Sequence, residues 1–577
     1  MTKGVRRRPR ADIPSFASDL PTVLAQVYAN RGVSDESELK LTLDQLIPPT
    51  DLQGLAAGAE LLADCVEQGK RIVIVGDFDA DGATSSALAM TVLRQVGAAY
   101  VSYLVPNRFE FGYGLTPEIV ELALERQPDL IITVDNGISS IDGVARAGEA
   151  GVATLITDHH LPAAVLPDAD VIVNPNQFGC TFASKNLAGV GVIFYVMTAL
   201  RSELRRRDWF QRRSIAEPNL GDVLDLVALG TVADVVPLDR NNRILVEQGL
   251  LRMRAGKLRP GILALLDVAG RSTSRLVASD LAFAVAPRLN AAGRLDDMSV
   301  GIECLLADDA GEAHRYAKQL NTLNQDRQLI EREMQREALV LLEEFLRGTG
   351  GSVPAALCLF DDKWHQGVVG ILASRIKEHL HRPTIAFARG DSGEIKGSAR
   401  SIPGLHIRDA LDRVASRYPG LVKKFGGHAM AAGLSLAEAD FERFRDAFES
   451  EVELLLEGVA LDAIVESDGE LAGQDFSLPL ARSLRYAGPW GQHFPEPLFD
   501  GKFSVVQQRL VGERHLKLVL THPERPEQLL DAIAFNVDLE LWPATEVENV
   551  YLCYRLDSNE FRGRESLQLL VEVIEPA

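Results

Sequence analysis

The stretch from Gly76 to Ala87, GDFDADGATSSA, sets Asp77, Asp79 and Asp81 on alternate positions ahead of a glycine and a run of small residues. Like charges this close repel one another, so the grouping opposes folding unless a cation gathers it. Two further acidic segments follow, each behind a β-branched run: Asp135 in LIITVDNG, and Asp158 with His159 and His160 in VATLITDHH. Carboxylate oxygens with one or two imidazoles form a donor set suited to Mn²⁺, with Mg²⁺ a poorer match for the nitrogens. The candidate ligands exceed what one ion needs, so a pair of ions is expected, clamping the attacking and leaving oxygens of a phosphate ester and lowering the pKa of a bound water. Taken singly, alternating aspartates also make a solvated loop or a calcium-like turn, and His-His after an aspartate a capped turn. Three such segments, each at a strand end, favour the metal centre.

The elements that position these groups are legible as a pattern. RIVIV, YVSYLV, LIITV, VATLIT and ADVIVN alternate with amphipathic segments such as TPEIVELALERQ and IDGVARAGEAG, which indicates a parallel sheet with helices on both faces. The functional crevice of such a sheet lies at the carboxyl ends of its strands, which stand about 5 Å apart. A helix is expected near 20–29 and a long helical stretch from Ser299 to Leu346, which GTGGSVP ends. A second α/β pattern follows, and the last stretch reads as strands without long helices, a small barrel or sandwich. The expected spans are an N-terminal extension 1–50, a catalytic domain 51–298, a connecting helical segment 299–350, a smaller α/β domain 351–459 and a barrel 460–577. No proposed metal ligand lies beyond Asp234, so the metal site is expected to survive truncation after Val459.

Composition bounds the class. The 577 residues, 46% hydrophobic and 24% charged, fit a soluble globular protein of about three or four domains. No uncharged apolar run approaches the roughly 18 residues of a membrane span, and MTKGVRRRPRAD lacks a secretory apolar stretch, so no membrane association and a cytoplasmic location are expected. The five cysteines are scattered, with neither zinc spacing nor a disulfide framework. A net charge of −21 argues against coating duplexes, though not against a narrow basic channel.

Arginines in glycine-rich settings are candidates for phosphate: Arg108 in PNRFEFGYG, Arg288 and Arg294 in PRLNAAGR, and Arg400 with Ser398 in KGSARS. Arg288 and Arg294 have Asp296 and Asp297 as alternative partners. GGHAMAAG lets backbone amides approach an anion, with His428 adding a donor, or is a structural turn. WHQGVVG is packing or substrate contact. Phe109, Phe111 and Tyr113 stack on bases or lie in a core. Arg509, Arg514, His515 and Lys517 make the most basic stretch of the C-terminal strands.

DFDADG, VDNG, TDHH and LVALGTVADVVPL resemble the four motifs of the DHH phosphoesterases, and FGGHAMAAG resembles the glycine-rich signature of their DHHA1 partner domain. VPNRFEFGYGL, LAGVGV, PRLNAAGRLDDMSVG, WHQGVVGILASRI and GPWGQHFPEPLF are similar to segments of the bacterial RecJ single-strand-specific exonucleases, so the resemblance covers nearly the whole chain. It implies a parallel-sheet DHH domain joined by a long helix to a smaller α/β DHHA1 domain, with a C-terminal OB-like barrel. It implies metal ligation by Asp77, Asp79, Asp81, Asp135, His159, His160 and Asp234, with His160 either a ligand or a group behind the ligands. Asp225, with Asp222, is expected instead to cap or stabilise the helix beginning near Asn219. Arg288 is expected near the reacting phosphate, Arg108, Ser398 and Arg400 at a terminal 5′ phosphate, and Gly426, Gly427 and His428 along the substrate.

The implied activity is Mn²⁺- or Mg²⁺-dependent 5′→3′ hydrolysis of single-stranded DNA to nucleotides, in DNA repair and recombination. The expected partners are 5′-phosphorylated single strands, a single-strand-binding protein and a helicase, with the chain acting as a monomer. One rival is a phosphoesterase of short oligonucleotides or cyclic dinucleotides, whose kind generally lacks the extra barrel and the long helix. The other is a non-catalytic replication scaffold, whose kind typically loses the ligands that this chain retains.

Overall fold

The computed structural model describes residues 4–106, 114–348, 353–390, 393–457, 463–512, 515–537, 542, 547–561 and 563–577. Arg108, Phe109, Phe111, Tyr113 and Arg514 lie outside the described residues. The chain forms two compact units, one of Arg7–Asn324 with Glu466–Ala577, the other of Gln325–Val465 with the residues up to Arg6.

The first unit is built on five parallel strands in the order Tyr100–Leu104, Arg71–Gly76, Leu130–Val134, Ala153–Thr157, Val171–Val173. Leu130–Val134 is buried throughout, as a central strand covered on both faces must be. The strand order reverses between Arg71–Gly76 and Leu130–Val134, and Asn136 bridges that point by donating to the carbonyls of Val75 (3.1 Å) and Val134 (2.9 Å). Helix Ala80–Gln95 packs against helices Gly189–Arg206 and Leu224–Ala233.

The helical stretch expected from Ser299 to Leu346 is two helices, Ser299–Leu306 and Ala310–Gly348. Asp309 interrupts it by accepting the Glu312 amide (2.9 Å), a capping bond that starts the longer helix.

The C-terminal strands Phe499–Val511, His515–His522, Arg525–Ala534, Arg564–Pro576 and Asn549–Phe561 close into a barrel in that order. Its core is continuous with that of the parallel-sheet domain. Leu238 donates its amide to Gln492 (2.8 Å), Arg275 pairs with Glu560 (2.6 Å), and Arg485 pairs with Asp557 (3.0 Å). Trp490 and Phe494 stack 5.1 Å apart, with Arg31 over the first ring and Arg243 over the second, at 5.2 and 4.2 Å. Tyr28, on helix Thr22–Asn30, closes the contact by donating to the Ala487 carbonyl (2.7 Å). The barrel thus shares its core and these contacts with the domain that carries the metal site.

The second unit carries a five-stranded sheet in the order Lys424–Gly427, Ala431–Ala437, Glu394–Arg400, Thr384–Arg389, Leu357–Phe360, antiparallel except for the last pair. Among the described residues no helix is long and apolar enough to cross a membrane.

Candidate metal centre

The strand Arg71–Gly76 ends at Asp77, and the chain turns at once into a helix. Asp79 makes the turn by accepting the amides of Asp81 (2.9 Å) and Gly82 (3.0 Å) on one carboxylate oxygen, an N-cap. Asp81 points into the fold, where its two oxygens accept the amides of Gly189 (2.6 Å) and Val190 (2.9 Å) at the start of helix Gly189–Arg206. That close approach requires glycine, since a Cβ at position 189 would stand 2.6 Å from the Asp135 Cβ. Asp135 adopts φ 62, a left-handed conformation that Asp and Asn tolerate better than other side chains do.

Three groups of ligand atoms result, each within 4.8 Å of one another: Asp77, Asp79 and Asp135; Asp81, His159 and Asp234; Asp135, His159 and His160. They contain every ligand expected from the sequence, and the sharing of Asp135 and His159 between groups suits two adjacent ions. His159 Nε2 stands 3.1 Å from Asp135 Oδ1 and 3.4 Å from Asp234 Oδ2. Both His159 Nε2 and Asp234 Oδ2 are buried without a hydrogen-bond partner. Leaving such atoms unsatisfied costs about 1–3 kcal/mol each, and a divalent cation between carboxylate and imidazole satisfies both. The donor set fits Mn²⁺, and Mg²⁺ through its oxygens.

Asp158 is not among the expected ligands, and its role is to position them. Buried, it accepts the amides of His159 (2.7 Å), His160 (3.0 Å) and Ile138 (2.9 Å), and its Oδ1 lies 2.7 Å from His160 Nδ1. Burial alone would raise its pKa, but the bond and charge of His160 hold it down to about 2. It is therefore an anion, and His160 Nδ1 donates to it, which leaves Nε2 as the ligating nitrogen. Asn174 and Asn176 hold the same turn by donating to the carbonyls of His160 (2.9 Å) and His159 (2.6 Å).

Charge is unbalanced at the centre. Burial, with Asp234 and Asp79 nearby, pushes the Asp81 carboxyl up to about 7. Burial and Asp79 push Asp234 up to about 8, and burial with Asp81 and Asp79 holds Asp135 well above the carboxylate range. Burial opposes charge on His160, but Asp158 raises its pKa to about 9. These groups carry protons near neutrality that a metal must displace. Mn²⁺ affinity is accordingly expected to rise from about pH 6 to about pH 8, with proton release on binding, measured by titration calorimetry in buffers of different ionisation enthalpy. Affinity independent of pH with no proton release would contradict this.

PRLNAAGR forms helix Ala286–Leu295. Asn290 accepts the Ala80 amide (2.8 Å), and a Cβ at Gly293 would stand 1.8 Å from the Phe78 carbonyl oxygen, so the segment braces the aspartate turn. Arg288 donates to Asn321 (3.0 Å) and to the Ala284 carbonyl, and pairs with no carboxylate among the described residues. Asp297 instead accepts from the amide and hydroxyl of Ser299. Asp225 is not a cap, but it stands in the first turn of helix Leu224–Ala233, as Asp222 does in the turn Leu220–Val223. Asp225 is buried against Arg259 (3.0 Å), whose amide it also accepts (2.9 Å), while Asp222 pairs with Arg252 and Asn219 supplies the cap.

The other predicted contacts sit together on the sheet of the second unit. Gly426 pairs with Gly433, which pairs with Ser398, which pairs with Ala386, a row of small residues across four strands. Cβ atoms at Gly426 and Gly433 would meet nothing closer than 4.0 Å, so the row is open at that end, while Ala386 at the other end is fully buried. Arg400 lies two residues along the strand from Ser398. GGHAMA is a hairpin in which Gly427 takes φ 141 and His428 donates its amide to Ala431 (2.8 Å). WHQGVVG leads into helix Val369–Leu380, and a Cβ at Gly370 would stand 2.8 Å from Arg400 Nη2, so this segment backs Arg400. Sequence reasoning left Asp158, Asn136, Asn174, Asn176 and Asn290 without these positioning roles. The signal available for Asn136, Asn174 and Asn176 was their place at or just after a strand end, and Asn290, inside a helix, carried none.

A family model described as the DHH family, N-terminal domain, matches residues 71–231, one described as the DHHA1 domain matches 352–454, and one described as the RecJ OB domain matches 467–573. The chain is 55% identical over 572 residues, 99% of both chains, to the protein of Escherichia coli (strain K12) named single-stranded-DNA-specific exonuclease RecJ. It is 33% identical to the protein of that name from Thermus thermophilus, over 94% of this chain and 76% of that one. The crystal structure of RecJ from Thermus thermophilus in complex with Mn²⁺ covers 99% of this chain and 80% of its own, with a TM-score of 0.80 at 30% identity. The likeness runs over nearly the whole chain, and the chain belongs to the RecJ family of DHH/DHHA1 proteins.

Proposed function

We propose that this chain is a metal-dependent exonuclease that degrades single-stranded DNA from its 5′ end, releasing nucleotides in DNA repair and recombination. The observation that carries the reading is the union, in one chain, of the buried carboxylate–imidazole centre with a closed barrel of the OB type, in a protein similar end to end to proteins named single-stranded-DNA-specific exonucleases. Asp77, Asp79, Asp81, Asp135, His159, His160 and Asp234 hold the metal ions, with Asp158 orienting His160. Bound there, a pair of divalent cations offsets phosphate charge and lowers the pKa of the attacking water. Arg288 steadies the reacting phosphate, while Arg108, Ser398 and Arg400 receive the terminal 5′ phosphate. Gly426, Gly427 and His428 follow the backbone of the strand. Arg509 and Lys517, paired across two barrel strands, add a basic grip on the strand. A monomer working in the cytoplasm with a single-strand-binding protein and a helicase completes the reading.

Single strands labelled at the 5′ or the 3′ end, and a blunt duplex, each incubated with Mn²⁺, Mg²⁺ or chelator, test it. Mononucleotide released first from the 5′ label, only with metal and only from single strands, is expected. Release first from the 3′ label would overturn the polarity.

Arg400 provides a sharper check. A hydrogen bond to a charged group contributes about 1.5–3 kcal/mol, or about 10- to 150-fold in rate. Arg400→Ala should lower kcat/KM by that factor on 5′-phosphorylated strands and by a few-fold at most on 5′-hydroxyl strands. Equal losses on both would show that Arg400 is structural.

A further inference from the structure

The first unit holds a cavity of about 450 Å³ that the metal centre does not use, walled by Val232, Val235, Leu250 and Phe283 on one side and by Pro489 and Trp490 of the GPWGQHFPEP loop on the other. Two features set it apart from ordinary packing space. Phe283 is 80% exposed and Val235 64% exposed, although both are large apolar side chains. Both also sit on unusual backbone: Phe283 on a single π turn, Leu281–Val285, inserted ahead of the helix that carries Arg288, and Val235 at φ 60, which a β-branched residue rarely adopts. Such strain persists where function requires it.

Position indicates what the cavity receives. Thr231, Val232, Ala233 and Val235, which line it, flank the metal-binding Asp234 on both sides in the chain. Phe283 is five residues from Arg288. Whatever enters thus lies next to the segment that carries Asp234. Its volume falls in the range of ligand sites, about 300–1,000 Å³, and its apolar and aromatic walls, with Gln492 and the ion pairs Arg555–Glu496 and Arg254–Glu247 among the lining groups, suit a flat amphipathic ring.

Resting on the exonuclease reading, we propose that this cavity takes an unpaired nucleobase of the strand next to the bond being cut, stacked against Phe283. A base held in a duplex is stacked and paired and cannot enter without being extruded. The cavity therefore contributes to single-strand selectivity. Because every base has a flat face, stacking here tolerates any sequence.

The test uses the full chain with Mn²⁺ and single strands carrying one abasic residue, moved through the first several positions. Base–aromatic stacking is worth about 1–3 kcal/mol, about 5- to 150-fold. One abasic position should raise KM for the unaltered protein by that factor. Phe283→Ala should show the same loss on the intact strand and no further loss at that abasic position, while Phe283→Trp restores the intact-strand value and Mn²⁺ affinity stays unchanged. Being exposed, Phe283 can be truncated without loss of the core. Full activity of Phe283→Ala on intact strands, or losses that multiply when the substitution and the abasic residue are combined, would overturn the proposal. Repeating the comparison as strand binding in chelator, by fluorescence anisotropy, separates the two readings: a protein that cuts nothing yet shows the Phe283-dependent abasic effect defeats the nuclease assignment and leaves the cavity assignment standing.

Discussion

Asp135→Asn and His159→Ala are each expected to lower single-strand hydrolysis by more than about 100-fold while leaving strand binding largely intact. Loss of a group that merely supports a metal ligand costs about 10- to 100-fold, and these two side chains each belong to two of the three ligand groups. Asparagine is the better probe at position 135, because residue 135 adopts φ 62, where alanine would add strain of its own. Stability gives a second readout with a definite sign. The folded-state pKa of Asp135 is raised, mainly by burial, above its value of about 3.9 in an unfolded chain. Holding the ionised carboxylate in the metal-free fold therefore opposes folding increasingly as pH rises above the unfolded value. The metal-free Asp135→Asn protein should unfold at the same temperature as the unaltered protein or a higher one at about pH 8. The stabilisation by Mn²⁺, about 2.7 kcal/mol at roughly 100 times Kd, should largely disappear. Retention of more than about a tenth of the activity by both variants would remove the metal assignment.

Truncation after Val459 should unfold or severely destabilise the parallel-sheet domain, rather than merely weaken its hold on long strands. The cut removes Trp490 and Phe494, strips the Arg243 guanidinium of the ring it covers, and deletes the Gln492 carbonyl that fixes Leu238, four residues after Asp234. Phe494→Ala alone should cost about 3–5 kcal/mol, a large share of the roughly 5–15 kcal/mol that holds a typical domain. Thermal unfolding and Mn²⁺ titration of the truncated chain check this. A truncated protein that melts cooperatively at the full-length temperature and binds Mn²⁺ with unchanged affinity would show that the barrel is dispensable after all.

These two expectations mark what could be read in the residues and what could not. The carboxylates and imidazoles were legible because each follows a β-branched strand, and parallel strands bring their ends together whatever lies between them. The braces were not. Asn290 meets Ala80 across 210 positions and Arg259 meets Asp225 across 34, and nothing local in either segment names its partner. Hydrophobic alternation likewise revealed strands in the last hundred residues without showing that their loops pack on Tyr28 and Arg243. The Asp309 cap escaped because a helical pattern runs on both sides of it, and the break spans only residues 307–309, with Ala307 extended. Ser398 and Arg400 were recognisable as anion-binding types, but the row of small residues Gly426, Gly433 and Ala386 beside them exists only through strand register.

The shared core of the sheet domain and the barrel also bears on when the protein becomes whole. The unit that contains the metal centre is interrupted in the chain between Asn324 and Glu466. At a translation rate of about 5–20 residues per second, the barrel portion begins to leave the ribosome roughly 7–30 s after the sheet domain is complete. Through that interval Leu238, Arg243 and Tyr28 present a surface whose partner has not yet been made. The finished nuclease is assembled only when its last strands arrive, so an incomplete nascent chain lacks the support that steadies Asp234.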